Sequence, residues 1–356
     1  MAKSAKDAGK SERGYLSDYD SRRQSSLASL APVLAIFSCV LYSLNGELLQ
    51  YMQVHGSTHA SPLLNLVFCH LGGLLFVPHF LVPASSDGRT VGQCRKDIEH
   101  VALLSLLLSF ILMGYNYAWL LSARHVAVGL TNAVFQTSVA FVYIAGVTLF
   151  HETIAFPQIL GVTFSLCGAA MASGVFGSGE SAGTPHGLFA GIVLALLASA
   201  GLTLYQVLFK TWFAAKKNDA KFLAHIGAWV SVWHVVAIFP LVILAHITGF
   251  ETMQIPLGSL AIFGTLLSAV IASTVNAMYL CIVMWGSSML LPCASALSVP
   301  FMVFLDISLH QVWPGRLELC GHLLVVLSVV LILDLHKQLK PTSSSHVGYL
   351  AAPAEL

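Results

Sequence analysis

The chain has 356 residues, 56% of them hydrophobic and only 9% charged, with a mean hydropathy of +0.79. A soluble domain carries about a quarter charged residues, so this composition excludes an ordinary soluble globular fold. With 17 Lys/Arg against 16 Asp/Glu there is no basic excess of the kind nucleic-acid binding requires, and no nucleic-acid partner is expected.

Residues 1–27 are polar, charged and poor in branched apolar side chains. They read as a disordered cytoplasmic tail; the basic start lacks the apolar stretch that a signal peptide would need next. A bilayer core takes about 20 mostly apolar residues per helix. Stretches of that kind occur near 28–52, 62–83, 101–122, 126–148, 154–175, 186–209, 222–247, 258–283, 286–309 and 317–335. Residues 336–356 read as a second cytoplasmic tail. The expected fold class is therefore all-α: a polytopic membrane protein of ten transmembrane helices, integral to the lipid bilayer.

Charge gives an independent check on the count. With the N-terminus cytoplasmic, 15 of the 17 Lys/Arg fall on the inside, and only Arg124 and Arg316 fall outside. That satisfies the positive-inside rule, and nine or eleven spans would break the alternation. Both termini are expected in the cytoplasm.

The two halves are related. At a constant offset of 160, Asn116 falls on Asn276, Leu120 on Leu280, Ser138 on Ser298, Phe141 on Phe301, Leu149 on Leu309 and Gly161 on Gly321. The third to fifth spans thus lie over the eighth to tenth. Five spans per half is odd, so the halves, 28–175 and 186–335, are expected to form a 5+5 inverted repeat. Inverted repeats are a feature of secondary transporters, whose substrate site lies between the halves near the midplane.

Three stretches carry a family resemblance: "NGELLQY" in the first span, "LTLYQVLFK" in the sixth and "LSVPFMVFLD" in the ninth. With "SARHVAVGLTNAVFQTSVAFVYIAGVTLFHETI" joining spans three to five, the chain resembles the drug/metabolite transporter superfamily and its EamA-like members. Glu152 falls on their usual acidic position. The branch it resembles is solute carrier family 35, subfamily F, which includes thiamine-transporter-like members. The resemblance implies a multi-pass secondary transporter and not an enzyme, in an endomembrane (vacuolar or Golgi-type) or the plasma membrane. Nucleotide-sugar and triose-phosphate relatives carry a basic residue in the ninth span, and "GSSMLLPCASALSVPFMVFLD" has none.

Ionisable residues inside spans are functional candidates, because a charge there costs about 3 kcal/mol on insertion scales. Glu47 in the first span and Asp306 near the end of the ninth make the deep charge inventory acidic. Glu47 then favours a cationic solute, or a neutral one whose movement is coupled to a proton; a packing role is the alternative, and for Asp306 an interfacial role. Asn45 beside Glu47 supplies both donor and acceptor. In the fourth span Asn132, Gln136 and Tyr143 recur at i, i+4 and i+11, one face of a straight helix, which either lines a wet cavity or bonds to neighbouring helices. Tyr115 and Asn116, Tyr205 and Gln206, and Asn276 complete the candidate substrate-binding set. Histidines 70, 79, 225, 234, 246 and 322 lie in or at the ends of spans. No HxH or HExxH spacing occurs, so neither a metal site nor a cofactor is expected. Gly187-xxx-Gly191 and Ala170-xxx-Gly174 permit close helix packing, either within the monomer or in a homodimer.

These residues point to a carrier of a small organic solute, cationic or neutral and ring-bearing such as thiamine, working by alternating access. A nucleotide-sugar or other phosphorylated-metabolite antiporter and a non-transporting membrane scaffold stand as the alternatives.

Overall fold

The computed structural model describes residues 29–48, 62–77, 91–126, 128–151, 156–173, 185–213, 220–253, 258–285, 290–305, 307–308, 311 and 313–338. Glu152, Asp306, His79 and most of both expected tails lie outside them.

Among the described residues the chain is helical throughout. The elements are α1 (Ser29–Leu48), α2 (Pro62–His70) running into a 3₁₀ segment (Leu71–Phe76), α3 (Val91–His125), α4 (Val128–Phe135), α5 (Ser138–Leu149), α6 (Phe156–Ala172) and α7 (Pro185–Phe213). There follow α8 (Ala220–Trp233), a π-helical turn (His234–Ile238), α9 (Phe239–Ile247), α10 (Ser259–Trp285), α11 (Leu290–Leu305) and α12 (Arg316–Gln338). Among the described residues six segments are long and apolar enough to cross a membrane: Ser29–Leu48, Glu99–His125, Leu130–Leu149, Gly187–Phe213, Phe222–Ile247 and Ser259–Trp285. Leu63–Leu75, Phe156–Ala172 and Leu290–Leu305 are shorter apolar helices.

The distribution of polarity is that of a membrane protein. Large apolar side chains such as Val33, Leu103, Phe189, Phe263 and Leu323 point outward and are exposed. Ser38, Ser43, Ser105, Ser109, Ser122, Ser199 and Ser328 are fully buried. Three of these hydroxyls donate to a carbonyl three or four residues back, Ser38 to Ala35, Ser109 to Ser105 and Ser328 to Val325, while Ser43 and Ser122 donate to the carbonyls of Ser298 and Gly191 on other helices. Small, locally satisfied polar residues let helices approach closely without orphaning a donor in hydrocarbon.

Four of the expected spans differ from the sequence reading, one in length and three in helix geometry, each for a local reason. α3 begins ten residues earlier than its apolar stretch, because "VGQCRKDIEH" contains good helix formers and lengthens the helix beyond the apolar window. The second span tightens to 3₁₀ at Gly72 and Gly73, where a Cβ on Gly73 would come within 2.6 Å of the Gly227 carbonyl oxygen. The fourth span breaks between α4 and α5: the Thr137 N–H bonds Val134 O and the Val139 N–H bonds Gln136 O, three residues back rather than four. The seventh widens to a π turn just before Pro240, which has no N–H to give; the Phe239 N–H reaches back five residues to His234 O.

α6 packs most extensively on α12, and α3 on α7. The first pair meets through glycine: a Cβ on Gly161 would lie 3.2 Å from Ser328 O and 2.6 Å from the Ile332 side chain. In the second pair, a Cβ on Gly201 would lie 2.7 Å from Tyr115 Cβ. Gly191 also packs inside the monomer, accepting the Ser122 hydroxyl at its carbonyl (2.8 Å) and lying against Val126.

Candidate functional site

α3, α7, α8 and α10, with the 3₁₀ segment and the start of α11, surround a cavity of about 220 Å³. Leu112 and Tyr115 come from α3; Leu202, Tyr205 and Phe209 from α7; Gly227 and Val230 from α8; Asn276, Ala277 and Tyr279 from α10. None of the described lining residues is Lys, Arg, Asp or Glu. The lining is aromatic on several sides, and the rings support one another. Tyr115 and Tyr205 lie 6.2 Å apart between centroids, tilted at 60°; Tyr205 stacks on Phe209 at 6.1 Å. Phe209 in turn meets Phe213 edge-on at 5.3 Å. Their i, i+4, i+8 spacing on α7 places the three rings along one face.

The opposite lining comes from the helix distortion in the second span. Where α2 gives way to 3₁₀ geometry, backbone carbonyls need partners from elsewhere. Ser231 on α8 donates to His70 O, sharing its proton with Gly227 O, and Ser273 on α10 donates to Cys69 O at 3.0 Å. The Gly72 N–H donates to Ser273 Oγ, also at 3.0 Å. His70 stacks on His234 with centroids 4.4 Å apart and planes 14° from parallel. Each ring donates its Nδ1–H to the carbonyl four residues back, Leu66 O and Val230 O, both at 2.7 Å.

Of the candidate residues, Tyr115, Tyr205 and Asn276 line the cavity. Asn116 turns away and donates to Leu112 O at 2.9 Å. The break after α4 gives the fourth-span stripe separate neighbours. Asn132 Oδ1 accepts the Trp119 indole N–H (3.1 Å), Gln136 Nε2 approaches Ser295 O (3.4 Å), and Tyr143 packs against the α5, α6, α11 and α12 core. Gln206 is buried on α7, and no group among the described residues bonds either its amide nitrogen or its amide oxygen. Asn45 Oδ1, Gln136 Oε1 and the Tyr143 hydroxyl are likewise buried without a protein partner. Glu47 is half-buried on α1, beside Gly46, which packs on Met302 of α11; neither lines the cavity.

Sequence reasoning missed two features. His70 and His234 stand in it only as span histidines, and their stacking and the two serines beside them depend on how separate spans pack. Glu251 it missed altogether. This carboxylate follows the seventh span, is buried, and accepts the Leu63 N–H and the Tyr117 hydroxyl, each at 3.1 Å. It thereby ties the first turn of α2 to α3. An acidic residue just past an apolar run, in a short connection, was the available signal.

Comparison with known proteins agrees with this architecture. Residues 26–174 match the model of the EamA-like transporter family. A Saccharomyces cerevisiae protein described as the thiamine-repressible mitochondrial transport protein THI74 is 22% identical over 257 residues, covering 72% of this chain and 69% of the yeast protein. A solved crystal structure at 16% identity superposes with a TM-score of 0.58, covering 88% of this chain and 99% of the other, which shows a shared fold. Residues 26–174 thus match the EamA-like transporter family, and over 72% of its length the chain is similar to a protein described as a transport protein.

Proposed function

We propose that the protein is a secondary carrier that moves a small organic solute, cationic or neutral and ring-bearing, by alternating access between two inverted five-helix halves. The observation that carries this reading is the cavity, walled by Tyr115, Tyr205, Phe209 and Tyr279 with no formally charged side chain among its described residues. Aromatic faces attract cations and stack on planar rings. A phosphate, by contrast, calls for Arg, Lys or a cluster of backbone N–H groups, which disfavours a nucleotide-sugar or other phosphorylated substrate. Thiamine, a cation with two rings, suits such a wall, and the yeast relative is a transport protein described as thiamine-repressible.

The inverted repeat is supported by positions 160 apart. His151 and Gln311 both adopt left-handed backbone, at φ 52° and 59°, and among the described residues they are the two non-glycine positions that do. Gly161 meets Ser328 and Ile332, while Gly321 meets Gly168 and Ala172, each residue being displaced by the same offset. On this reading the ten passes place both termini in the cytoplasm, as the basic residues require. Glu47, Asn45, Asn132, Gln136, Tyr143 and Gln206 lie along the path that opens as the halves rock, and Glu47 carries the coupling proton or attracts the cation.

The test is uptake of labelled thiamine and labelled thiamine monophosphate into proteoliposomes, with and without an inward proton gradient. The reading predicts saturable uptake of thiamine in preference to its phosphate. Preference for the phosphate returns the protein to the phosphorylated-metabolite class, and absence of flux leaves the scaffold.

A further inference from the structure

The wall of the cavity formed by the second, seventh and eighth spans has an unusual hydrogen-bonding inventory. A neutral imidazole holds one N–H and one lone pair. His70 donates Nδ1–H to Leu66 O, an atom that only accepts, so the proton sits on Nδ1 and Nε2 is an acceptor. His70 is 6% exposed, lines the cavity, and no group among the described residues donates to its Nε2. His234 behind it is fully buried in the same arrangement, its Nδ1–H given to Val230 O and its Nε2 without a protein donor.

The two flanking hydroxyls have also spent their protons. Ser231 gives its hydrogen to His70 O and Gly227 O, and Ser273 gives its hydrogen to Cys69 O. What remains on these two cavity-lining residues is lone pairs: two on Ser231 Oγ, and one on Ser273 Oγ beyond the one that takes the Gly72 N–H. The helix distortion causes this. The carbonyls released at the change to 3₁₀ geometry consume the serine donors, and helical back-bonding consumes the histidine donors.

We infer that the wall made by His70, Ser231 and Ser273 is an acceptor-only subsite that takes an exocyclic amino or ammonium group of the solute. This rests on the transporter reading and narrows it. A carbonyl or carboxylate of the solute finds lone pairs facing lone pairs here, whereas an amino group finds several acceptors. The stack with His234 holds the His70 ring plane, so the acceptor is presented without the entropy cost of ordering a free side chain. A buried polar site rejects an analogue that leaves its groups unpaired more strongly than an apolar pocket rejects a change in size.

The test uses matched compounds in which a ring amino group is replaced by a carbonyl: thiamine and oxythiamine, cytidine and uridine, adenosine and inosine. The first pair keeps its charge as well as its size. Uptake of each is measured in proteoliposomes holding the full chain. The expected result is that amino members are moved about tenfold or more faster than their carbonyl partners at limiting concentration, and that His70→Phe, which keeps a stacked ring without the lone pair, erases the preference. The wild-type preference is informative even if that variant folds poorly. Carbonyl members moved as well as or better than amino members overturn the subsite while leaving the carrier in place. Absence of flux for all six overturns the carrier reading, and the subsite falls with it.

Discussion

Gly168 and Gly321 stand where each other's side chain would be: a Cβ on Gly168 would lie 2.7 Å from the Gly321 carbonyl oxygen, and one on Gly321 would lie 2.6 Å from the Gly168 carbonyl oxygen. The crossing of α6 and α12 therefore depends on both residues lacking a side chain, and neither backbone can yield without moving a helix.

Gly321→Ala is accordingly expected to cost about 1–3 kcal/mol, as overpacking of a close contact does. Gly114→Ala is the control, because a Cβ there meets nothing within 4 Å and alanine is the better helix former. Thermal unfolding in detergent checks the pair: the first variant melts lower than wild type and the second does not.

Glu251 predicts a second, separate effect. Its carboxylate accepts from Leu63 N and Tyr117 Oη, and removing it leaves both donors with a lost partner, at a cost of about 1–3 kcal/mol. Glu251→Ala should lower stability in that range. Tyr117→Phe should lose most of its own effect in the Glu251→Ala background, since contacting residues couple by about 0.5–3 kcal/mol. A double-mutant cycle on thermal stability measures it; additive effects would dissolve the clasp.

At the cavity, Tyr205→Ala removes a ring that faces Tyr115 and stacks on Phe209. A cation–π contact is worth about 0.5–2 kcal/mol, so affinity for a cationic solute is expected to fall roughly tenfold. A neutral solute of similar size should lose less. Competition binding to purified protein with thiamine and an uncharged ring compound distinguishes the two.

Glu47→Gln is expected to abolish uptake while expression and melting behaviour stay normal, since amide replaces carboxylate at equal size. Unchanged transport by this variant removes the carboxylate from the mechanism.

Much of the architecture was legible before the structure. Apolar runs of bilayer length mark helices, because hydrocarbon solvation imposes them on any crossing segment, and among the described residues six of the ten expected spans have the length and hydropathy of a crossing. Local distortions were less legible. Nothing in "FCHLGGLLF" marks the change to 3₁₀ geometry beyond its paired glycines, and the π turn at His234 has only Pro240 as a signal. The candidate site divided along the same line. Tyr115 and Tyr205 were singled out as aromatic residues within spans and Asn276 by its repeat-related position, and all three line the cavity. Asn116 and Asn132 share the same chemistry and face bonded neighbours instead, which a sequence cannot distinguish from facing a cavity. His70, Ser231 and Ser273 act together only because three spans distant in sequence converge, with hydrogen bonds spanning 161 and 204 positions.

The measurement that bears most directly on alternating access is counterflow. Proteoliposomes preloaded with unlabelled thiamine are diluted into a trace of labelled thiamine, and internal label is followed over time. A carrier whose site faces one side and then the other predicts a transient accumulation of label above equilibrium, absent from vesicles loaded with buffer. A monotonic rise to equilibrium that ignores the internal solute would contradict the account and describe a pore.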